Sequence, residues 1–254
     1  MASPILETRE ITIRFGGHVA VDHVTCAFRQ GELTAIVGPN GAGKTTYFNL
    51  ISGQLPASSG EVRLDGEPIT GTSVAARTAR GIGRAFQLTN LFPNLTVQEN
   101  VRLVIQAKAG RGFRLFAMAE RQRDLIEAAE AVLERVRLTR IRGQKVKELS
   151  HGDQRKLEVA LLIALDPRVY MFDEPTAGMS VDEAPVVLDL IAEIKADPSR
   201  TILLVEHKMD VIRELADRII VLHNGALVAD GPPAAVMASE IVQEAYLGKA
   251  IADV

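Results

Sequence analysis

Lys44 stands in the run Gly38-Pro39-Asn40-Gly41-Ala42-Gly43-Lys44-Thr45-Thr46, behind three glycines and ahead of two hydroxyl side chains. Gly38, Gly41 and Gly43 let the backbone turn tightly and bring its N–H groups close to a ligand's oxygens. Lys44 adds a compact positive charge, and the Thr45 hydroxyl is a hard oxygen donor. These residue types in this order suit the phosphates of a nucleotide, with Lys44 at the β- and γ-phosphates and Thr45 placed to ligate Mg²⁺. The apolar run Leu33 to Val37 before the glycines and Tyr47 to Ile51 after them predict a strand and a helix. The helix would direct the positive end of its dipole at the phosphates.

A second chemical cluster closes the apolar run Val169-Tyr170-Met171-Phe172, which ends in Asp173 and Glu174. At the carboxyl end of a buried strand beside the phosphate loop, Asp173 could hold the Mg²⁺ shell and Glu174 could polarise an attacking water. Paired acids also occur at strand ends with no chemical role. It is the loop upstream that favours the chemical reading. A third motif, Leu149-Ser150-His151-Gly152-Asp153-Gln154, predicts a helix capped by Ser150, with Asp153 reaching back to the Ser150 N–H as a capping box.

The elements that must position these groups follow from periodicity. Residues 5 to 37 read as short strands with turns at Gly16-Gly17 and Gln30-Gly31, and Glu61 to Leu64 alternates into the hairpin pair Asp65-Gly66. From Thr96 the apolar residues take a 3.6-residue period, giving a mostly helical insertion over about 94–158. That insertion is rich in Arg and Lys, which suits either a solvated helical face or a docking surface near a membrane's cytoplasmic side. Beyond residue 168 strands and helices alternate: a strand at Val169 to Phe172, a helix from about Val181 to Lys195, a strand at Thr201 to Val205, a helix from Lys208 to Ala216 and a strand at Arg218 to Leu222. Such alternation implies a parallel sheet covered on both faces. Asn224-Gly225 predicts a hairpin into Ala226 to Ala229, and a short helical tail runs to Tyr246-Leu247-Gly248.

Composition narrows the classes. With 254 residues, 47% hydrophobic and 24% charged, the chain can bury a sizeable core. A net charge of −3 lacks the basic excess of a nucleic-acid binder, and the absence of Trp argues against stacking platforms for single strands. The single cysteine, Cys26, cannot form an intramolecular disulfide and reads as a small core residue on a strand. No apolar stretch approaches the roughly 18 residues of a membrane span. Glu7, Arg9 and Glu10 interrupt the segment where a signal peptide would be apolar, so a cytoplasmic location is expected.

A phosphate loop alone leaves kinases, GTPases and many ATPases open. The order of the motifs resembles an ATP-binding cassette ATPase over essentially the whole chain. The resemblance implies an α/β fold: a P-loop NTPase (RecA-like) core, formed by about 1–93 and 159–254, with an N-terminal antiparallel β subdomain. The inserted α-helical subdomain, about 94–158, would carry the signature motif, all within one domain of 1–254. It implies ATP and Mg²⁺ as cofactors, with residues 38–46 (Pro39, Asn40 and Ala42 included) around the phosphates. Phe15 resembles the aromatic that stacks on adenine, and Gln87 in Arg84-Ala85-Phe86-Gln87 resembles the glutamine that senses Mg²⁺ and the transporter interface. His207 resembles the histidine that contacts the γ-phosphate, and Ser150, Gly152 and Asp153 fall in the signature that faces the partner subunit's ATP.

The chain departs from the family pattern at three positions. His151 replaces the first signature glycine, Asp153 replaces its glutamine, and Ser180 stands where an Asp is usual. Ser180 with Glu183 fits a second helix capping box. Local features at 14–21, 84–87, 174–179 and 245–248 narrow the resemblance to the ATPase subunit of bacterial branched-chain amino acid importers, with urea or short-amide importers closely similar. Implied partners are membrane-spanning permease subunits, a second cassette subunit (identical or a paralogue) and, indirectly, a periplasmic solute-binding protein, with no nucleic acid. The chain would lie peripherally on the cytoplasmic face of the membrane. A soluble cassette ATPase serving as an assembly scaffold or in nucleic-acid metabolism is the alternative. A P-loop small-molecule kinase would not need the 149–154 motif.

Overall fold

The computed structural model describes residues 4–85, 91–109 and 119–239. Its strands are β1 (Leu6–Phe15), β2 (His18–Phe28), β3 (Leu33–Val37), β4 (Ser59–Leu64), β5 (Glu67–Pro68), β6 (Ile82–Arg84), β7 (Val169–Asp173), β8 (Thr201–Val205), β9 (Arg218–His223) and β10 (Ala226–Gly231). Its helices are α1 (Lys44–Ser52), α2 (Val74–Ala79), α3 (Val97–Lys108), α4 (Ala119–Arg135), α5 (His151–Leu165), α6 (Ala184–Lys195), α7 (Met209–Leu215) and α8 (Pro233–Met237). Two compact units divide them: Met1–Ile82, Arg168–Glu174 and Lys195–Val254 form one, Gly83–Pro167 and Pro175–Ile194 the other.

The first unit contains two sheets. An antiparallel sheet runs β2-β1-β4-β5, and a second runs β10-β9-β3-β8-β7, with β6 at its far edge beginning at Ile82. In the second sheet β3 is parallel to both β8 and β9, β7 is parallel to β8, and β10 runs antiparallel to β9. Every residue of β3 and β8 is buried, as expected of parallel strands covered on both faces. Alternate residues of β3 serve different cores. Ile36 faces Tyr47, Phe48, Leu50 and Ile51 of α1 together with Ile11, Val24 and Phe28 of the antiparallel sheet. Ala35 and Val37 face Ile212 of α7 and Val236 of α8.

Helix α1 is buried on so many sides that its one polar aromatic needs a partner, and the Tyr47 hydroxyl finds it 2.8 Å away at Thr8 Oγ1. Buried Arg77 donates from one guanidinium nitrogen to the Leu50 and Ile51 carbonyls at 2.7 and 2.6 Å, satisfying the carboxyl end of α1. Cys26 lies buried on β2, where burial pushes its thiol up to about 12, so it is a core group rather than a nucleophile.

In the second unit α3, α4 and α5 pack against one another, burying Val97, Val101, Ala129, Leu133 and Leu157. Thr96 and Glu99 form a complete capping box at α3. The last helix of this unit begins at Ala184, not at Val181, because 181–183 form a turn whose geometry is set by Glu183.

Candidate active site

Between β3 and α1 the glycine loop opens into a cleft of about 400 Å³, lined by Phe15, His18, Ala20, Asn40 to Thr46, Glu174 and His207. The cleft therefore gathers the aromatic, the loop, one carboxylate and the histidine singled out in the sequence. His18 and Ala20 were not singled out. They enter because β2 returns from the Gly16-Gly17 turn past the loop, and the strand pairing Phe15 with His18 was the available signal. Phe15 is 50% exposed, an unusual state for a large apolar ring and a suitable one for stacking on a planar base.

The loop's shape is sterically enforced. Gly43 has φ +95° and caps α1, and a Cβ there would collide with the Ala20 carbonyl oxygen. Lys44 Nζ folds back onto the loop, donating to the Gly38 and Pro39 carbonyls at 2.7 and 3.0 Å. Burial lowers its pKa, and the charges of Glu174 and Asp173 act in the opposite sense. Two of the ammonium's three donors are thus spent on the loop's own carbonyls.

Glu174 follows directly on β7 in the left-handed region at φ +50°, its N–H bonded to the Val205 carbonyl at 2.9 Å. A glutamate in that conformation is strained and must be held by its surroundings. His207 supplies one restraint, with Nε2 2.7 Å from Glu174 Oε1; since a carboxylate oxygen only accepts, Nε2 carries the hydrogen. The loop bearing His207 is itself fixed by buried Glu206, whose carboxylate accepts from the N–H groups of His207 and Lys208 at 2.7 and 3.3 Å.

Asp173 ends β7 in register with Val205, adjacent in sequence to Glu174. Among the described residues no three His, Cys, Asp or Glu side chains form a metal cage. The Thr45 hydroxyl and Asp173 carboxylate are hard oxygen donors, a set that fits Mg²⁺ taking its remaining ligands from phosphate and water. Gln87 lies outside the described residues.

Ser150, Gly152 and Asp153 belong to the second unit. Ser150 caps α5, accepting the Asp153 N–H at 3.1 Å. The return bond differs from the expected box: Asp153 Oδ2 accepts from the Ser150 hydroxyl at 2.9 Å instead of from its N–H. Aspartate is one methylene shorter than Glu99, whose Oε2 reaches both the N–H and the hydroxyl of Thr96 at 2.7 and 2.8 Å. At the second expected box Glu183 Oε2 accepts from both the N–H and the hydroxyl of Ser180, at 3.2 and 3.0 Å.

A parallel sheet with a glycine loop between β3 and α1 and a carboxylate pair at the end of β7 defines a P-loop NTPase. The chain belongs to the ATP-binding cassette transporter family: the family described as ABC transporter matches residues 21–177. A second family, described as branched-chain amino acid ATP-binding cassette transporter, matches residues 226–252. The high-affinity branched-chain amino acid transport ATP-binding protein BraF of Pseudomonas aeruginosa is 38% identical, covering 98% of this chain and 100% of its own length. LivG of Escherichia coli K12, of the same description, is 34% identical over 98% and 100%. A solved ATP-binding cassette of an ABC transporter in its ADP conformation superposes with a TM-score of 0.81 at 30% identity, covering 97% of this chain and all of that one. This chain is accordingly an ABC ATPase, and its nucleotide is ATP.

Proposed function

We propose that this chain is the ATP-hydrolysing subunit of an importer for branched-chain amino acids or related small polar solutes. The observation that carries the reading is the single cleft in which Lys44, Thr45, Glu174 and His207 meet beside Phe15. The full-length similarity to BraF and LivG supports the cargo class.

In this reading Phe15 stacks on adenine, the N–H groups of 38–46 and Lys44 hold the phosphates, and Thr45, Asp173 and Gln87 hold Mg²⁺. Held by these residues, the cation would supply positive charge against that of the phosphates. Glu174 orients the attacking water and accepts its proton, while His207 restrains that carboxylate and contacts the γ-phosphate. Ser150, Gly152 and Asp153 would face the ATP of a second cassette subunit, identical or a paralogue, so that closure and reopening of the pair accompany each hydrolysis.

The remaining partners are permease subunits and, through them, a periplasmic solute-binding protein, with the chain lying peripherally on the cytoplasmic face. No described helix is long and apolar enough to cross a membrane, which suits this arrangement. Tagged chain isolated from detergent-solubilised native membranes should bring down two polytopic subunits and a second cassette ATPase. Recovery of soluble partners alone would replace the importer with a scaffold or nucleic-acid role. In the reconstituted complex, stimulation of hydrolysis by leucine with its binding protein, and not by urea or short amides, identifies the cargo class.

A further inference from the structure

Two acids face one another in the second unit. Asp153 lies in the first turn of α5 and Glu183 in the turn before α6, and Lys156 stands between them. Its Nζ is 3.1 Å from Asp153 Oδ1 and 3.6 Å from Glu183 Oε1, on a side chain only 12% exposed. The other oxygen of each acid is already engaged, Asp153 Oδ2 with the Ser150 hydroxyl and Glu183 Oε2 with both donors of Ser180. An unbroken polar chain therefore runs Ser150–Asp153–Lys156–Glu183–Ser180. Gly152 leaves room for it, since a Cβ there would overlap the Glu183 carboxylate. Without the cation, two carboxylates would repel each other across the turns they cap. Glu183 shows the balance: its Ser180 bonds and Lys156 hold its carboxyl below the usual range while Asp153 opposes them.

We propose that Lys156 is a positioning residue for ATP hydrolysis: by neutralising Asp153 and Glu183 together it holds the Ser150–Asp153 turn against the Ser180 loop. It thereby permits an acid at 153, where the family signature has glutamine. The inference rests on the reading of Ser150, Gly152 and Asp153 as nucleotide-contacting residues.

The test is a pair of double-mutant cycles on the full chain, Lys156→Met with Asp153→Asn and Lys156→Met with Glu183→Gln. Glutamine at 183 retains an acceptor for Ser180 and removes only the charge. Each variant is read by thermal unfolding without nucleotide, by equilibrium ATP binding and by kcat. Lys156→Met should lower kcat about fivefold or more while ATP affinity of the isolated chain stays within about twofold, because the phosphate loop lies in the other unit. Adding Asp153→Asn should restore kcat to within about twofold of Asp153→Asn alone, and Lys156→Arg should retain activity. Unchanged kcat in Lys156→Met, or additive losses in both cycles, would overturn the proposal. If the wild-type chain binds ATP without hydrolysing it, the hydrolytic reading fails instead. The thermal cycles still decide the bridge in that case: coupled losses support it and independent losses refute it.

Discussion

His207 Nε2 lies 2.7 Å from Oε1 of Glu174, a glutamate whose backbone is held in the left-handed region. The two residues come from the ends of adjacent parallel strands, β7 and β8, and the contact restrains a carboxylate that a free glutamate would not orient this way. If Glu174 is the base, as proposed, this pre-orientation reduces the entropy lost when water and γ-phosphate arrive. Strain in the backbone of Glu174 is thus coupled to the loop anchored by Glu206.

Glu174→Gln keeps the shape and removes the proposed proton acceptor. Hydrolysis should fall by about 100-fold or more with ATP binding retained, because general-base contributions run at about 10² to 10⁴. Phosphate release and equilibrium nucleotide binding, measured on the same preparation, check both halves. Rapid turnover by the variant would remove Glu174 from the role of base.

Lys44→Ala acts on binding. In the proposed reading the ammonium, which here donates to the Gly38 and Pro39 carbonyls, turns to phosphate, so its loss should weaken ATP affinity by about tenfold or more, the scale of one charge-assisted hydrogen bond. Titration with a fluorescent ATP analogue reads this directly. An unchanged dissociation constant would contradict the assignment.

Asp65 and Arg168 pair through two bonds, of 2.6 and 2.8 Å, and the Arg168 hydrogen bond holds the Asp65 carboxyl below its usual range. A depressed carboxyl contributes stability that is present above its unfolded value and lost as pH falls through the folded one. Asp65→Asn should therefore lose less stability than the wild type on going from pH 7 to below about pH 4, in urea unfolding. Both side chains are nearly half exposed, so the difference at pH 7 should stay within about 1 kcal/mol. Parallel stability curves for the two proteins would show that the pair carries no linkage.

Gly152→Ala drives a methyl group into the Glu183 carboxylate. The carboxylate is committed to Ser180 and Lys156, so the substitution should lower the melting temperature by several degrees, corresponding to about 1 to 3 kcal/mol of overpacking. In a Glu183→Ala background the same change should be much milder. Equal penalties in the two backgrounds would show that the crowding comes from elsewhere.

Local features of the fold were legible because they depend on neighbours in sequence. Asp65-Gly66 and Asn224-Gly225 each take two consecutive positive φ values, the conformation a tight hairpin demands. The strand before the phosphate loop and the helix after it follow from mostly apolar runs, each broken by one polar residue, Thr34 and Asn49. The start of α6 was misplaced because Val181, apolar in sequence, is 88% exposed in a turn. The Asp153 bond was mistaken by one atom, since the length of a side chain decides whether it reaches an N–H or only a hydroxyl. Gln87 and the tail at 246–248 lie outside the described residues.

The sequence by itself determined the phosphate loop, the carboxylate pair behind an apolar strand, the capping serines and the alternation of strand and helix. Each is written in residue types a few positions apart, where backbone sterics and hydrogen-bond reach act directly. Tertiary structure alone decided that β3 lies between β8 and β9, that β2 brings His18 and Ala20 to the cleft, that Arg77 closes the end of α1 and that Lys156 joins two acids. Those pairings join residues distant in the chain. Periodicity says which face of an element is buried and not which partner buries it; packing and charge compensation choose the partner once the chain has closed on itself.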